Sequence, residues 1–316
     1  MFNVVITARS FGQSNPEPIK FLEANGCKIE KLKIANPLSA SELQPLIAEA
    51  DGIIAGLDQY DASVIESAKN LKVISRYGVG YDKVDLAAAK RNGVAVTFTP
   101  GTNENSVADL AMTLLLSSSR NIVAMDKHVK NGSGTRVIGG EMWKKTLGII
   151  GTGRIGKGVA RRAKGFSMRL LAFDAFPDAA FAQETGLAYC SLDTLLRESD
   201  FISIHCPLTD DTRSLIDAAA FAKMRPTAVL VNTARGGIVD EEALYDALTR
   251  KAIAAAALDV TVQDPPTGSP LLGLDNCIMT PHIGGYTSDA VLNMGNLAAK
   301  NLVAVLKGEP CEFRVV

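Results

Sequence analysis

The chain has 316 residues, 47% hydrophobic and 21% charged, with a formal net charge of −1, enough for two domains with substantial cores. The near-neutral balance argues against a nucleic-acid or membrane-surface partner, since either requires a basic excess. No apolar run is long enough to span a membrane, and Met1-Phe-Asn-Val-Val-Ile-Thr7 reads as a strand rather than a secretory leader. From there to the C-terminus, short apolar runs alternate with helix-length segments. Strands are expected at 4–7, 52–55, 73–75 and 95–98, with helices near 16–25, 41–49, 62–67 and 86–91. A long helix is expected at 105–120, after Pro100-Gly101, with Asn105 or Ser106 as its cap. A second set of strands follows at 147–150, 170–173, 201–204, 229–231, 255–258 and 278–279, and the chain ends in a helix at 288–307. This alternation predicts parallel β-α-β units and two doubly wound sheets.

The most specific segment opens the second set. Thr146-Leu-Gly-Ile-Ile-Gly-Thr-Gly-Arg-Ile-Gly156 is an apolar strand running into Gly151-x-Gly153-x-x-Gly156. A helical composition over 157–166 follows, then a strand ending at Asp174, 18 residues after Gly156. Each part serves a dinucleotide. Gly151 permits the tight turn, Gly153 lets the backbone approach a pyrophosphate, and Gly156 allows close helix–strand packing. The helix start offers unpaired N–H groups and a positive dipole end. Asp174 is placed to accept from the adenosine ribose, which favours NAD and repels a 2′-phosphate. Residues 175–178, Ala-Phe-Pro-Asp, supply no cation for such a phosphate.

Arg235 follows an apolar strand, at a carboxyl end where open α/β sheets bind ligands. Its planar fork suits a substrate carboxylate. Histidine is the usual acid/base catalyst near neutral pH, and the chain has three. His128 lies in a polar stretch, Asp126–Lys130, and reads as solvated. His205 ends a strand, and His282 follows another and precedes Gly284-Gly285. Five cysteines, at 27, 190, 206, 277 and 311, are odd in number and without CxxC spacing. They read as reduced thiols of a cytoplasmic protein, with no metal or disulfide framework.

Gly151-Thr-Gly-Arg-Ile-Gly156, Asn232-Thr-Ala-Arg-Gly-Gly237, Leu258-Asp-Val260 and Thr280-Pro-His-Ile-Gly-Gly285 occur in one order. With Arg76-Tyr-Gly-Val-Gly-Tyr-Asp82 and Val107-Ala-Asp109, they make the whole chain resemble the D-isomer-specific 2-hydroxyacid dehydrogenases. Among these, the short phosphoglycerate dehydrogenase-like members look nearest. The resemblance implies an NAD-dependent oxidoreductase interconverting a D-2-hydroxy acid and its 2-keto acid. It implies a flavodoxin-like substrate domain, 1–100 plus 287–316, and a Rossmann NAD domain, 101–286, with the active site in a cleft between them. His282 becomes the acid that protonates the substrate oxygen, and Arg235 the carboxylate anchor. The orienting carboxylate falls to Asp264, where the family has a glutamate one methylene longer. The resemblance places Arg154, Ile155, His205, Pro207, Thr212, Thr233, Ala234, Asp259 and Gly284 along the cofactor, with Asp259 near the nicotinamide amide. It places the backbone of Gly78, Val79 and Gly80, with Asn103, at the substrate. The segment 121–143, which holds the single Trp143, embraces a second subunit in the family, so a homodimer is expected.

Substrate choice turns on Ala55-Gly-Leu-Asp-Gln-Tyr60, where phosphoglycerate enzymes often carry an Arg-Ser pair. Asp58 would repel a phosphate, and Asp58 and Tyr60 are expected to hydrogen-bond a hydroxylated tail, with Arg76-Tyr77 lining the same end. Other readings on this scaffold are an NADH-sensing corepressor-type protein, a nucleoside hydrolase that retains NAD, and an enzyme that oxidises another small anion such as phosphite or formate. The trio Arg235, Asp264 and His282 favours catalysis on a 2-keto acid.

Overall fold

The computed structural model describes residues 1–33 and 37–316, which fall into two compact units. The first comprises Met1–Asn103 and Gly285–Val316. It contains β1 (Phe2–Ile6), α1 (Glu17–Ala24), β2 (Cys27–Lys31), α2 (Ala40–Ile47), β3 (Gly52–Ala55), α3 (Ala62–Ser67), β4 (Val73–Arg76), α4 (Leu86–Arg91) and β5 (Ala95–Thr97). The strands are all parallel, in the order β2-β1-β3-β4-β5, a doubly wound arrangement of the flavodoxin type. Alternation along each strand builds two cores, because successive side chains point to opposite faces. Val4, Ile6, Ile54 and Val73 meet Leu22 and the C-terminal helix Ser288–Leu306 through Ala298 and Leu302. Val5, Ile53, Ile74 and Val96 meet Leu43, Ile47, Val64 and Ala88 on the other face.

The second unit, Glu104–Gly284, continues with α5 (Glu104–Ser119), α6 (Ile122–Lys130), β6 (Thr146–Ile150), α7 (Arg154–Ala163), β7 (Arg169–Phe173), α8 (Ala179–Thr185) and β8 (Ala188–Tyr189). Then come α9 (Leu192–Glu198), β9 (Phe201–Ile204), α10 (Ala218–Phe221), β10 (Val229–Asn232), α11 (Glu241–Thr249), β11 (Ala255–Leu258) and β12 (Cys277–Met279), with the C-terminal helix as α12. The seven strands are parallel in the order β12-β11-β10-β9-β6-β7-β8. Strand order reverses between β6 and β9, and open sheets bind ligands outside the carboxyl ends at such a switch point. α5 and α7 cover one face through Ala111, Leu115, Val159 and Ala163, against Leu147, Ile149 and Val231. α9 and α11 cover the other, with Leu195, Leu244 and Leu248 against Ile150, Ile202 and Leu230.

Several elements differ from the expectations. β2 and β8 are additional strands at sheet edges. β2 is charged and only Cys27 in it is buried, the composition that keeps an edge strand from pairing with other chains. The stretch around His128 is helical, within α6. Neither cap expected for α5 acts as one: the helix starts at Glu104, Ser106 Oγ donates to Gly284 O (2.7 Å) and Asn105 Oδ1 accepts from Arg162 (3.3 Å). Among the described residues, no helix is long and apolar enough to cross a membrane.

Candidate active site

At the β6–α7 junction the three glycines have distinct geometry. Gly151 has φ +91°, and a Cβ there would lie 2.6 Å from the Cys206 nitrogen. A Cβ on Gly156 would lie 2.0 Å from Gly151 O, whereas one on Gly153 would meet nothing within 4 Å. The backbone is therefore tight on the protein side and open at Gly153. Side chains of Asp61, Asp85, Asp178, Ser191, Asp217, Asp240 and Thr287 cap their helices. α7 has no side-chain cap, which leaves first-turn N–H groups for an anion. Arg154 and Ile155 open this helix, with Arg154 exposed. At the ends of β9 and β10, His205 Nδ1 and Thr233 Oγ1 are buried without a hydrogen-bond partner. Buried orphans of this kind require a partner. Together with the opening at Gly153, they fit a bound dinucleotide. Burial pushes the His205 imidazole down to about 3; its Nε2 pairs with Ser203 Oγ at 2.8 Å. That neutral ring, with Nδ1 buried and Nε2 engaged, is unsuited to proton transfer. Thr212 Oγ1 donates to Pro207 O at 2.6 Å and closes the loop after β9.

Asp174 ends β7. Burial favours its neutral form, but the N–H groups of Thr152 and Phe176, the Thr152 hydroxyl and the Lys157 charge outweigh it. The carboxyl is held below the usual range, so it is ionised at neutral pH.

After β10, the Asn232 side chain folds the loop that carries Arg235. Its Oδ1 accepts from Ala234 N (2.9 Å) and its Nδ2 donates to Arg235 O (2.8 Å). Arg235 Nη1 donates to Ala234 O at 2.7 Å. Gly236 then packs on the chain after β11, where a Cβ would lie 2.1 Å from Thr261 O. That neighbouring loop carries Asp264, and Glu241 Oε1 fixes it by accepting from Val262 N at 2.7 Å.

His282 Nδ1 lies 2.9 Å from Asp264 Oδ2. The shorter acid therefore reaches the imidazole. His282 has φ +53°, a left-handed conformation that L residues adopt at a cost of about 1–3 kcal/mol. Asp259 clamps the turn that imposes it. Asp259 Oδ1 accepts from Thr280 Oγ1 (2.6 Å) and Ile283 N (2.8 Å), Oδ2 accepts from Gly284 N (2.8 Å), and its carbonyl accepts from His282 N (3.0 Å). Burial raises the Asp259 carboxyl, against the pull of these donors and of His282. Asp259 is only 2% exposed. Gly284 is equally constrained: a Cβ would lie 3.1 Å from Asp259 Oδ2.

In the first unit, Gly78 has φ +150°, and its N–H donates to Thr99 Oγ1 at 3.0 Å. That N–H is thus already engaged, and Val79 and Gly80 are the partly exposed members of the loop. Asn103 ends the first segment of this unit, and its Oδ1 is buried without a partner. The reading of Asp58 and Tyr60 as hydrogen-bonding a substrate tail is overturned. They are 1% and 0% exposed. Asp58 Oδ1 accepts from Leu38 N (2.8 Å), and the Tyr60 hydroxyl pairs with Thr7 Oγ1 (2.9 Å). Arg76, 8% exposed, donates to Ala55 O and Tyr77 O. This polar set packs inward because loop carbonyls and amides at the strand ends need partners. Sequence reading missed Asn232, Gly236 and Glu241 as supports; the Asn at a strand end before a tight loop was the available signal.

The sheet and loop of the second unit define a dinucleotide-binding enzyme. Residues 112–284 match the family described as D-isomer specific 2-hydroxyacid dehydrogenase, NAD binding domain. The D-3-phosphoglycerate dehydrogenase of Archaeoglobus fulgidus is 42% identical over 93% of this chain, which spans only 56% of that longer relative. The glyoxylate reductase of Korarchaeum cryptofilum is 40% identical over 86% of this chain and 85% of its own length. The apo-structure of D-lactate dehydrogenase from Escherichia coli superposes with a TM-score of 0.86 at 31% identity, covering all of both chains. The chain belongs to the D-isomer-specific 2-hydroxyacid dehydrogenase family of oxidoreductases, and NAD is its cofactor.

Proposed function

We propose that this chain reduces short, unphosphorylated 2-keto acids with NADH, and oxidises the corresponding D-2-hydroxy acids in reverse. The His282–Asp264 contact carries this reading. With Nδ1 bonded to Asp264, the imidazole presents Nε2 as the edge that delivers a proton to the keto oxygen. Asp264 fixes the ring's orientation. Arg235 offers its planar fork to the substrate carboxylate, and the Gly78–Gly80 loop and Asn103 are assigned to the substrate by likeness to the family. The cofactor, when bound, supplies the hydride. Gly151, Gly153, Gly156 and the first turn of α7 hold its phosphates, Asp174 accepts from its ribose, and His205, Pro207, Thr212, Thr233, Ala234, Asp259 and Gly284 border it.

The substrate class rests on the loop after β3. With Asp58 and Tyr60 turned inward, it contributes Leu57 and Gln59 and no cation of its own, and the neighbouring Lys83 Nζ is engaged by Leu57 O at 3.0 Å, whereas phosphate is normally held by Arg or Lys donors. The glyoxylate reductase relative, matched over most of its length, agrees with a small substrate. In a keto-acid panel followed by NADH absorbance, glyoxylate and hydroxypyruvate are expected to be reduced at least as well as 3-phosphohydroxypyruvate. A clear preference for the phosphorylated compound contradicts this, and would make Arg9, exposed after β1, the first cation to test.

A homodimer in the cytoplasm completes the proposal. Ile122, Val123, Val129, Val137, Ile138 and Trp143 are exposed within one stretch of chain, a concentration of apolar surface that suits a protein interface. Light scattering is expected to give twice the 33.5 kDa chain mass; the mass of a single chain would refute the dimer. The described cysteines are all free, in keeping with a reducing compartment.

A further inference from the structure

The ribose-facing carboxylate is not the whole of the local electrostatics. Lys157, in α7, is the cation whose charge helps lower the Asp174 carboxyl. A 2′-phosphate at the ribose edge needs such a donor, yet Lys157 Nζ is bound to Asp178 Oδ2. Asp178 is fixed from several sides: its Oδ1 caps α8 by accepting from Phe181 N (3.0 Å), and its N–H donates to the Tyr189 hydroxyl (3.0 Å). Tyr189 in turn reaches Thr152 Oγ1 (2.9 Å), which donates to Asp174 Oδ2 (2.9 Å). One hydrogen-bonded chain thus joins the Asp178 backbone to the Asp174 carboxylate, and Lys157 lies against the ring of Phe181, 5.3 Å from its centroid.

We propose that Asp178 is a specificity-determining residue, which discriminates against NADP(H) by occupying Lys157 while Asp174 faces the ribose. This rests on the NAD assignment and extends it to a second carboxylate. Where Asp174 repels a 2′-phosphate directly, Asp178 withholds the cation that would attract it. The Tyr189–Thr152 link anchors the Asp178 backbone beside Asp174, and the bond from Phe181 N holds the Asp178 carboxylate where Lys157 meets it.

Calorimetric titration with 5′-AMP and adenosine 2′,5′-bisphosphate reads the adenosine half alone, without turnover. The unmodified protein is expected to prefer 5′-AMP. Asp178→Asn keeps an acceptor for the α8 cap but releases Lys157, and should raise the relative affinity for the bisphosphate about tenfold, the worth of one charge-assisted hydrogen bond. Asp178→Ser, another good cap, should do the same should the Asn variant fold poorly. Adding Lys157→Met should return the ratio to its starting value. An unchanged ratio in both Asp178 variants overturns the proposal, as does a gain that survives Lys157→Met. A starting preference for the bisphosphate would instead overturn the NAD reading of Asp174 and the proposal with it.

Discussion

His282→Ala is expected to lower kcat on the order of 10²–10⁴-fold, the usual contribution of a positioned general acid, with a smaller change in KM. The ring sits on a turn whose shape Asp259 enforces through both carboxylate oxygens, so truncating the side chain leaves the turn in place and isolates the loss of the proton donor. Asp264→Asn should follow it, losing on the order of 10²-fold, since an amide does not fix the same tautomer. Asp264→Glu should keep much of the activity, because it preserves the carboxylate on a loop anchored by Glu241 at Val262 N. His205→Ala is the control. Its ring is neutral with Nδ1 buried, so the substitution should weaken cofactor binding more than turnover. Steady-state kinetics that lost turnover with His205→Ala but kept it with His282→Ala would reverse the assignment.

Arg235→Ala carries the second large effect, chiefly a rise in KM with slower turnover as well. A bidentate Arg–carboxylate pair consists of charge-assisted bonds of about 1.5–3 kcal/mol each. Losing them should therefore reduce kcat/KM on the order of 10²-fold or more. Arg235→Lys retains the charge but not the fork and should recover only part of the loss. Asn232 holds the loop backbone on either side of Arg235, so the substitutions are expected to leave the fold intact, as thermal melting should show. If Arg235→Ala bound and reduced glyoxylate like the unmodified protein, another cation would be the anchor.

The central strands of the second unit were legible because buried parallel strands are continuous apolar runs, as in Leu147–Ile150 and Val229–Val231. β2 and β8 were not: one is a charged alternation at an edge, the other two residues long. The glycine spacing carried the β6–α7 geometry, since each of the three positions has its own steric reason. Side-chain direction was where sequence reading failed. Asp58 and Tyr60 have a substrate-binding composition, but the backbone at the end of β3 turns them into the unit, where Leu38 N and Thr7 Oγ1 are their partners. The reach of Asp264 was equally invisible. It depends on how closely Gly236 lets the neighbouring loop approach through Thr261, which no count of methylenes reveals.

The central claim, NADH-dependent reduction of a 2-keto acid with His282 as the acid, is tested most directly by identifying a product. Purified protein incubated with hydroxypyruvate and NADH should consume the two in equal amounts and yield D-glycerate on chiral chromatography, with His282→Ala forming almost none. An L-product, or no NADH consumption with any 2-keto acid despite bound cofactor, would contradict the account.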